Sequence, residues 1–158
     1  MGTRKLWMMN YPSGSTSKVV LQGDGSPTLE RLMVNTMVIL LAENDVQIQY
    51  SIWKLLTADG FTVLNAGNGE LALEASRGHP GPIKLLLTDI QMPRMNGLEL
   101  CRNISRERPG IKVLVMSGDL RGREHAAVNG LPFLQKPFTL TALRDSIKAL
   151  FGQIPPLK

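Results

Sequence analysis

From Met37 onward, short runs of consecutive apolar residues alternate with stretches in which apolar residues recur every three or four positions. Residues 38–41 (Val-Ile-Leu-Leu) are the first run, the pattern of a strand buried on both faces. Ile48, Ile52, Leu55 and Leu56 follow at helical spacing, and Gly60 ends that helix. Runs at 61–64, 83–87, 111–116 and 132–135 predict four further strands. Helices are predicted between them over 70–77, with Leu73 facing inward, over 98–106, stopped by Pro109, and over 121–128. Thr139 caps a last helix in which Leu140, Leu143, Ile147, Leu150 and Phe151 form one apolar stripe. Five strands alternating with five helices predict an α/β fold, a doubly wound parallel sheet covered on both faces. In such sheets ligands bind outside the carboxyl ends of the strands, near the point where strand order reverses.

Residues 1–36 read differently. Turn and linker residues crowd 11–17 and 22–27, and only Val19, Val20 and Leu21 suggest a short extended piece. The expectation is a disordered or loosely docked tail over 1–36, for which Met33 and Met37 offer alternative translation starts, one domain over 37–152 and a short tail over 153–158. A chain of 158 residues with 43% hydrophobic and 20% charged residues can bury a sizeable core. The net charge of +5 raises nucleic-acid binding, but the charges are scattered: four basic and two acidic side chains in 1–36, fourteen and eleven in the rest. The densest basic stretch, 102–108, is interrupted by Glu107 and carries no interleaved aromatics, which predicts a solvated helix face and no nucleic-acid partner. Cys101 stands alone, so no internal disulfide forms; it reads as a small buried helix residue and fits a cytoplasmic location. No apolar run approaches the ~18 residues of a membrane span, and no secretory signal is visible.

The residues that follow the apolar runs carry the chemistry. Glu43, Asn44 and Asp45 follow the first strand, Asp89 the third, Ser117 the fourth and Lys136 with Pro137 the fifth. Acidic groups, a hydroxyl and an ammonium thus converge on one sheet edge. A carboxylate attacks phosphorus only if its repulsion from the phosphoryl oxygens is offset. A hard divalent cation held by oxygens of Glu43 and Asp89 would do so. Lys136 can neutralise a further phosphoryl oxygen, and Ser117 can donate a hydrogen bond to another. His79 in a Pro/Gly turn and His125 in a polar helix read as surface residues, Trp53 as packing. Gly67 and Gly69 precede a helix without a full dinucleotide fingerprint.

The segments Ile39-Leu-Leu-Ala-Glu-Asn-Asp45, Leu87-Thr-Asp-Ile-Gln-Met-Pro-Arg-Met-Asn-Gly97, Val113-Leu-Val-Met-Ser-Gly118 and Phe133-Leu-Gln-Lys-Pro-Phe138, in order and spacing, resemble the response-regulator receivers of two-component signalling. The resemblance covers about 37–152. It implies a flavodoxin-like (βα)5 fold with strand order 2-1-3-4-5, Asp89 as phosphoacceptor, and Mg2+ held by Glu43, the position of Asn44, Asp89 and the backbone carbonyl of Gln91. It also implies Lys136 as phosphoryl contact, Ser117 as switch hydroxyl, Phe133 at the aromatic switch position as either a moving or a static ring, a cis bond before Pro137, and Gln91 and Asp119 as residues that tune dephosphorylation. The output surface would be the fourth helix, fifth strand and fifth helix.

Two positions depart from the family. Asn44 replaces the Asp that usually ligates the metal directly. Loss of one charge at close range, about 4 kcal/mol at an effective dielectric near 20, predicts Mg2+ binding weaker by roughly tenfold or more. Asp45 either compensates or caps the first helix; capping is the expectation. Asn96 replaces an Asp in a turn that suits either. The expected function is a phosphoacceptor module, not an enzyme beyond promoting its own phosphorylation and dephosphorylation. It would be charged by a sensor histidine kinase or phosphotransfer protein and read by a downstream protein target, with homodimerisation possible and no membrane contact. Only seven residues follow Phe151, so no output domain is expected there, and the chain is either a stand-alone receiver or a fragment of a hybrid kinase or larger regulator. The alternative is a pseudo-receiver that binds a protein partner without phosphorylation. A flavodoxin-like or hydrolase-type enzyme would need a flavin loop or catalytic groups that are missing.

Overall fold

The computed structural model describes residues 37–152 and, within 1–36, strands at 8–10, 16–21 and 27–30. The chain divides into two units, Met1–Thr36 and Met37–Lys158. In the first, β1 (Met8–Asn10), β2 (Thr16–Leu21) and β3 (Pro27–Glu30) form an antiparallel sheet in the order β1-β2-β3. The extended piece expected at 19–21 lies within β2, while β1 and β3 have no counterpart in the sequence reading. The expected tail at 153–158 lies outside the described residues.

In the second unit, strands β4 (Val38–Ala42), β5 (Thr62–Ala66), β6 (Leu85–Asp89), β7 (Lys112–Ser117) and β8 (Phe133–Gln135) alternate with helices α1 (Val46–Ala58), α2 (Gly69–Gly78), α3 (Gly97–Glu107), α4 (Leu120–Val128) and α5 (Leu140–Phe151). The sheet is parallel throughout, in the order β5-β4-β6-β7-β8. This is the expected order 2-1-3-4-5.

Alternation along the strands builds two cores. Leu40 and Ala42 of β4, Leu86 of β6, and Val113 and Val115 of β7 pack with Ala72 and Leu73 of α2, Leu100, Cys101 and Ile104 of α3, and Ala126 of α4. Their neighbours Ile39, Leu41, Leu85, Leu87, Leu114 and Met116 face the other way, onto Ile52, Leu55 and Leu56 of α1 and Leu143 and Ile147 of α5. Successive strand side chains point to opposite faces, so a strand buried on both sides needs an unbroken apolar run. β4 is apolar throughout, and β6 is the most completely buried, with Leu85, Leu86 and Leu87 followed by buried Thr88 and Asp89.

Each helix of this unit starts on a polar N-cap: Asp45, Asn68, Asn96, Asp119 and Thr139. Asp45 Oδ1 accepts from the backbone N–H groups of Gln47 and Ile48, which agrees with its expected capping role. Asn96 does more than occupy a turn. Its side chain accepts from Glu99 N–H while the Glu99 carboxylate accepts from Asn96 N–H, a capping box.

Two expectations are corrected. Leu140, placed in the apolar stripe of α5, is 44% exposed at the first position of the helix, and the buried stripe begins at Leu143. The basic run 102–108 is not uniformly solvated. Arg102 and Arg106 are exposed, but Arg108 is half-buried and donates to Ser76 Oγ and to the carbonyls of Ser76, His79 and Gly81. Those carbonyls close the C-terminus of α2, where helix ends leave acceptors unsatisfied.

Candidate functional site

The chain runs outward from β4 to β5 and then returns past β4 to β6, so strand order reverses between β4 and β6. Glu43 directly follows β4, and Asp89 is the last residue of β6. Both are buried, Glu43 to 1% and Asp89 to 7% exposure. Lys136 follows β8, and its backbone N–H donates to the Ser117 carbonyl at the end of β7 at 2.8 Å. The four carboxyl ends thereby bring the Glu43, Asp89 and Lys136 side chains together, with Ser117 tied to Lys136 through its backbone carbonyl.

Lys136 Nζ lies 2.6 Å from Glu43 Oε2 and 2.9 Å from Asp89 Oδ2. The remaining carboxylate oxygens are also held: Glu43 Oε1 accepts from Asp45 N–H at 2.9 Å and Asp89 Oδ1 from Gln91 N–H at 3.1 Å. Burial opposes the charge on Lys136. Hydrogen bonds to Glu43 and Asp89 and the charge of both carboxylates outweigh it together, so its pKa stands above the ordinary lysine value. The ammonium is therefore a fixed positive charge across the neutral pH range, placed at the oxygen of Asp89.

Ser117 is fully buried, and its Oγ accepts from Asp119 N–H at 3.3 Å. Asp119 caps α4 by accepting from Gly122 N–H at 2.6 Å, and Gln91 Nε2 donates to its other oxygen. The side chains of Gln91 and Asp119 thus bridge the loops after β6 and β7. Asn44 is exposed at the mouth of the site between Glu43 and Asp45. Phe133 is half-buried and lines an open groove of about 400 Å³ with Arg123, Ala127, Leu131 and Gln135. The Lys136–Pro137 bond is cis. His125 is exposed on α4, and His79 is half-buried at the end of α2, so neither joins the site.

Several positioning residues escaped the sequence reading. Gln49, one turn into α1, donates through Nε2 to the carbonyls of Glu43 and Ala66, both at 3.0 Å, and ties the ends of β4 and β5. Gly97, noted only as part of a motif, has a backbone reason: a Cβ there would stand 2.0 Å from the Asp89 carbonyl oxygen. Gly69 is likewise pressed against the backbone of Met95, so its place is one of packing and not of a phosphate loop. The available signal for Gly97 was a glycine eight residues after Asp89 at a predicted helix start.

A family model described as "Response regulator receiver domain" matches residues 39–148. The response regulator receiver protein CpdR of Brucella abortus (strain 2308) is 35% identical over 115 residues, covering 71% of this chain and 94% of CpdR. The sensor kinase CckA of the same organism is 31% identical over 115 residues, but there the match covers only 12% of the kinase. Among solved structures, a response regulator receiver protein from Sinorhizobium medicae WSM419 superposes with a TM-score of 0.67 at 26% identity, covering 74% of this chain and 95% of that one. The chain belongs to the response regulator receiver domain family, the signalling module of two-component systems.

Proposed function

We propose that this chain accepts a phosphoryl group on Asp89 from the phosphohistidine of a sensor kinase or phosphotransfer protein and passes the resulting change to a downstream protein partner. The observation that carries this reading is Lys136 Nζ seated 2.9 Å from Asp89 Oδ2 and 2.6 Å from Glu43 Oε2. A carboxylate oxygen of Asp89 forms the new O–P bond as the N–P bond of phosphohistidine breaks and the electron pair returns to the imidazole. Lys136 stays charged and neutralises a phosphoryl oxygen. The Ser117 hydroxyl donates to another oxygen, and with that movement reports that the group is present. Little covalent chemistry is left for the protein beyond this positioning. The reading includes a cytoplasmic location, which a reduced, buried Cys101 suits.

Receiver domains generally bind Mg2+. The donors here fit such an ion at reduced charge: the carboxylates of Glu43 and Asp89, the Gln91 carbonyl and the neutral amide oxygen of Asn44. Among the described residues no three acidic, His or Cys side chains converge to hold a metal. When bound, the ion would offset charge on the phosphoryl oxygens. Its affinity is read as weakened by Asn44.

Asn44 also supports the competing reading, a pseudo-receiver that binds its partner without phosphorylation. Incubation with acetyl phosphate and Mg2+, followed by intact mass measurement, separates the two. The phosphoacceptor reading expects one phosphoryl group on the wild type and none on Asp89→Ala. No adduct at high Mg2+ overturns it in favour of the pseudo-receiver.

A further inference from the structure

The first turn of α4 lies against Ser117 more closely than any side chain would allow. A Cβ built on Gly122 stands 2.3 Å from Ser117 Oγ, 2.5 Å from Ser117 Cβ and 3.3 Å from Ile90 Cδ1. Both Gly122 and Ser117 are buried, so neither can be relieved by turning into solvent. The hydroxyl therefore rests in the space that a Cβ at position 122 would fill. Ile90, the third atom set against that space, directly follows Asp89. Gly122 N–H is also held by Asp119 Oδ1, which fixes the turn where it is.

We infer that Gly122 is a positioning residue that couples α4 to the Ser117 hydroxyl. Its missing side chain provides the resting place of the hydroxyl before phosphorylation. This rests on the phosphoacceptor reading, and adds the element that feels the hydroxyl leave. When Ser117 Oγ turns toward a phosphoryl group on Asp89, it vacates the space under α4, and the helix is free to settle into a different seat. A methyl group at 122 penalises the resting arrangement more than the turned one, because only the resting arrangement puts Oγ in its way. The Ser117 Cβ contact is present in both, so α4 must also shift outward. The variant shifts the population toward the phosphorylated-like state before any phosphoryl group arrives.

The test compares the wild type with Gly122→Ala in two measurements on the full chain. In the free protein, alanine at a helical glycine ordinarily raises the melting temperature. Here the inference expects it to fall, and expects beryllofluoride with Mg2+ to raise it by more than in the wild type. Phosphorylation by acetyl phosphate, followed by intact mass, is expected to run ~threefold or more faster in Gly122→Ala. In a Ser117→Gly background, which removes both clashing atoms, Gly122→Ala is expected to be neutral or stabilising. That comparison holds even if Gly122→Ala alone does not fold, and a double variant as damaged as the single overturns the inference. A melting temperature that rises in Gly122→Ala, or a phosphorylation rate within about twofold of a wild type that does take the adduct, overturns the inference alone. A wild type that takes no adduct overturns the phosphoacceptor reading and the inference with it.

Discussion

Lys136 is shared by two carboxylates with little access to water, and this sharing decides what single substitutions there do. Lys136→Met leaves Glu43 and Asp89 facing each other without a cation. Breaking a buried pair in this way costs about 3–5 kcal/mol, read as a lower denaturant midpoint. Asp89→Asn keeps the Glu43–Lys136 bridge and removes one of the two carboxylate charges, so its cost is expected to be under about 1 kcal/mol. An equal cost for both would contradict a shared cation. Cys101 shows the opposite effect of burial. Burial pushes its thiol up to about 12 from an ordinary 9.0, outweighing a backbone hydrogen bond and the nearby charge of Arg102. The unfolded thiol ionises first, so the stability tied to this group is complete below pH 9 and is lost as pH rises toward 12. Wild type is therefore expected to lose more stability than Cys101→Ala between those limits in denaturant titrations. A thiol-directed reagent at pH 8 is expected to label Cys101 only on unfolding.

At the scale of the elements, α2 and α3 are joined end to end by charged side chains of unequal weight. Arg108 closes four acceptors at the C-terminus of α2, whereas the Arg77–Glu107 pair is solvent-exposed. Arg108→Ala is expected to lower stability by about 2–3 kcal/mol, Arg77→Ala by much less because water screens its pair, and exposed Arg102→Ala by close to nothing, all by thermal unfolding. Asn96→Ala removes the α3 capping box and about 1 kcal/mol. The elements themselves were legible in the apolar pattern, because strands buried on both faces cannot be written otherwise. Their ends were less so. Asn68 and Asp119 act as caps through backbone groups three residues on, and a lone Asn or Asp before a helix reads equally as loop. Arg108 was misjudged because its partners lie in and just after a different helix, 27 to 32 residues away, and a basic run carries no sign of which member turns inward.

For the whole molecule, the topology did what the sequence implied: it carried Glu43, Asp89, Ser117 and Lys136 to one edge from four separate strand ends. Those four were legible because each terminates an apolar run. Gln49 and Gly122 were not, since their roles depend on which turn of a helix faces a strand end, and periodicity does not encode that depth. Asn44 is the position read from the sequence as replacing a metal-ligating acid. Restoring the acid with Asn44→Asp is expected to tighten Mg2+ binding by about tenfold in calorimetric titration, and an unchanged affinity would refute the electrostatic account of that position. The identity of the phosphorylated atom bears most directly on the whole account. After incubation with acetyl phosphate and Mg2+, borohydride reduces an aspartyl phosphate to homoserine, which peptide mapping locates. Homoserine at position 89 alone is the predicted result; an unmodified Asp89 at saturating Mg2+, or the group found instead on His79 or His125, would contradict it.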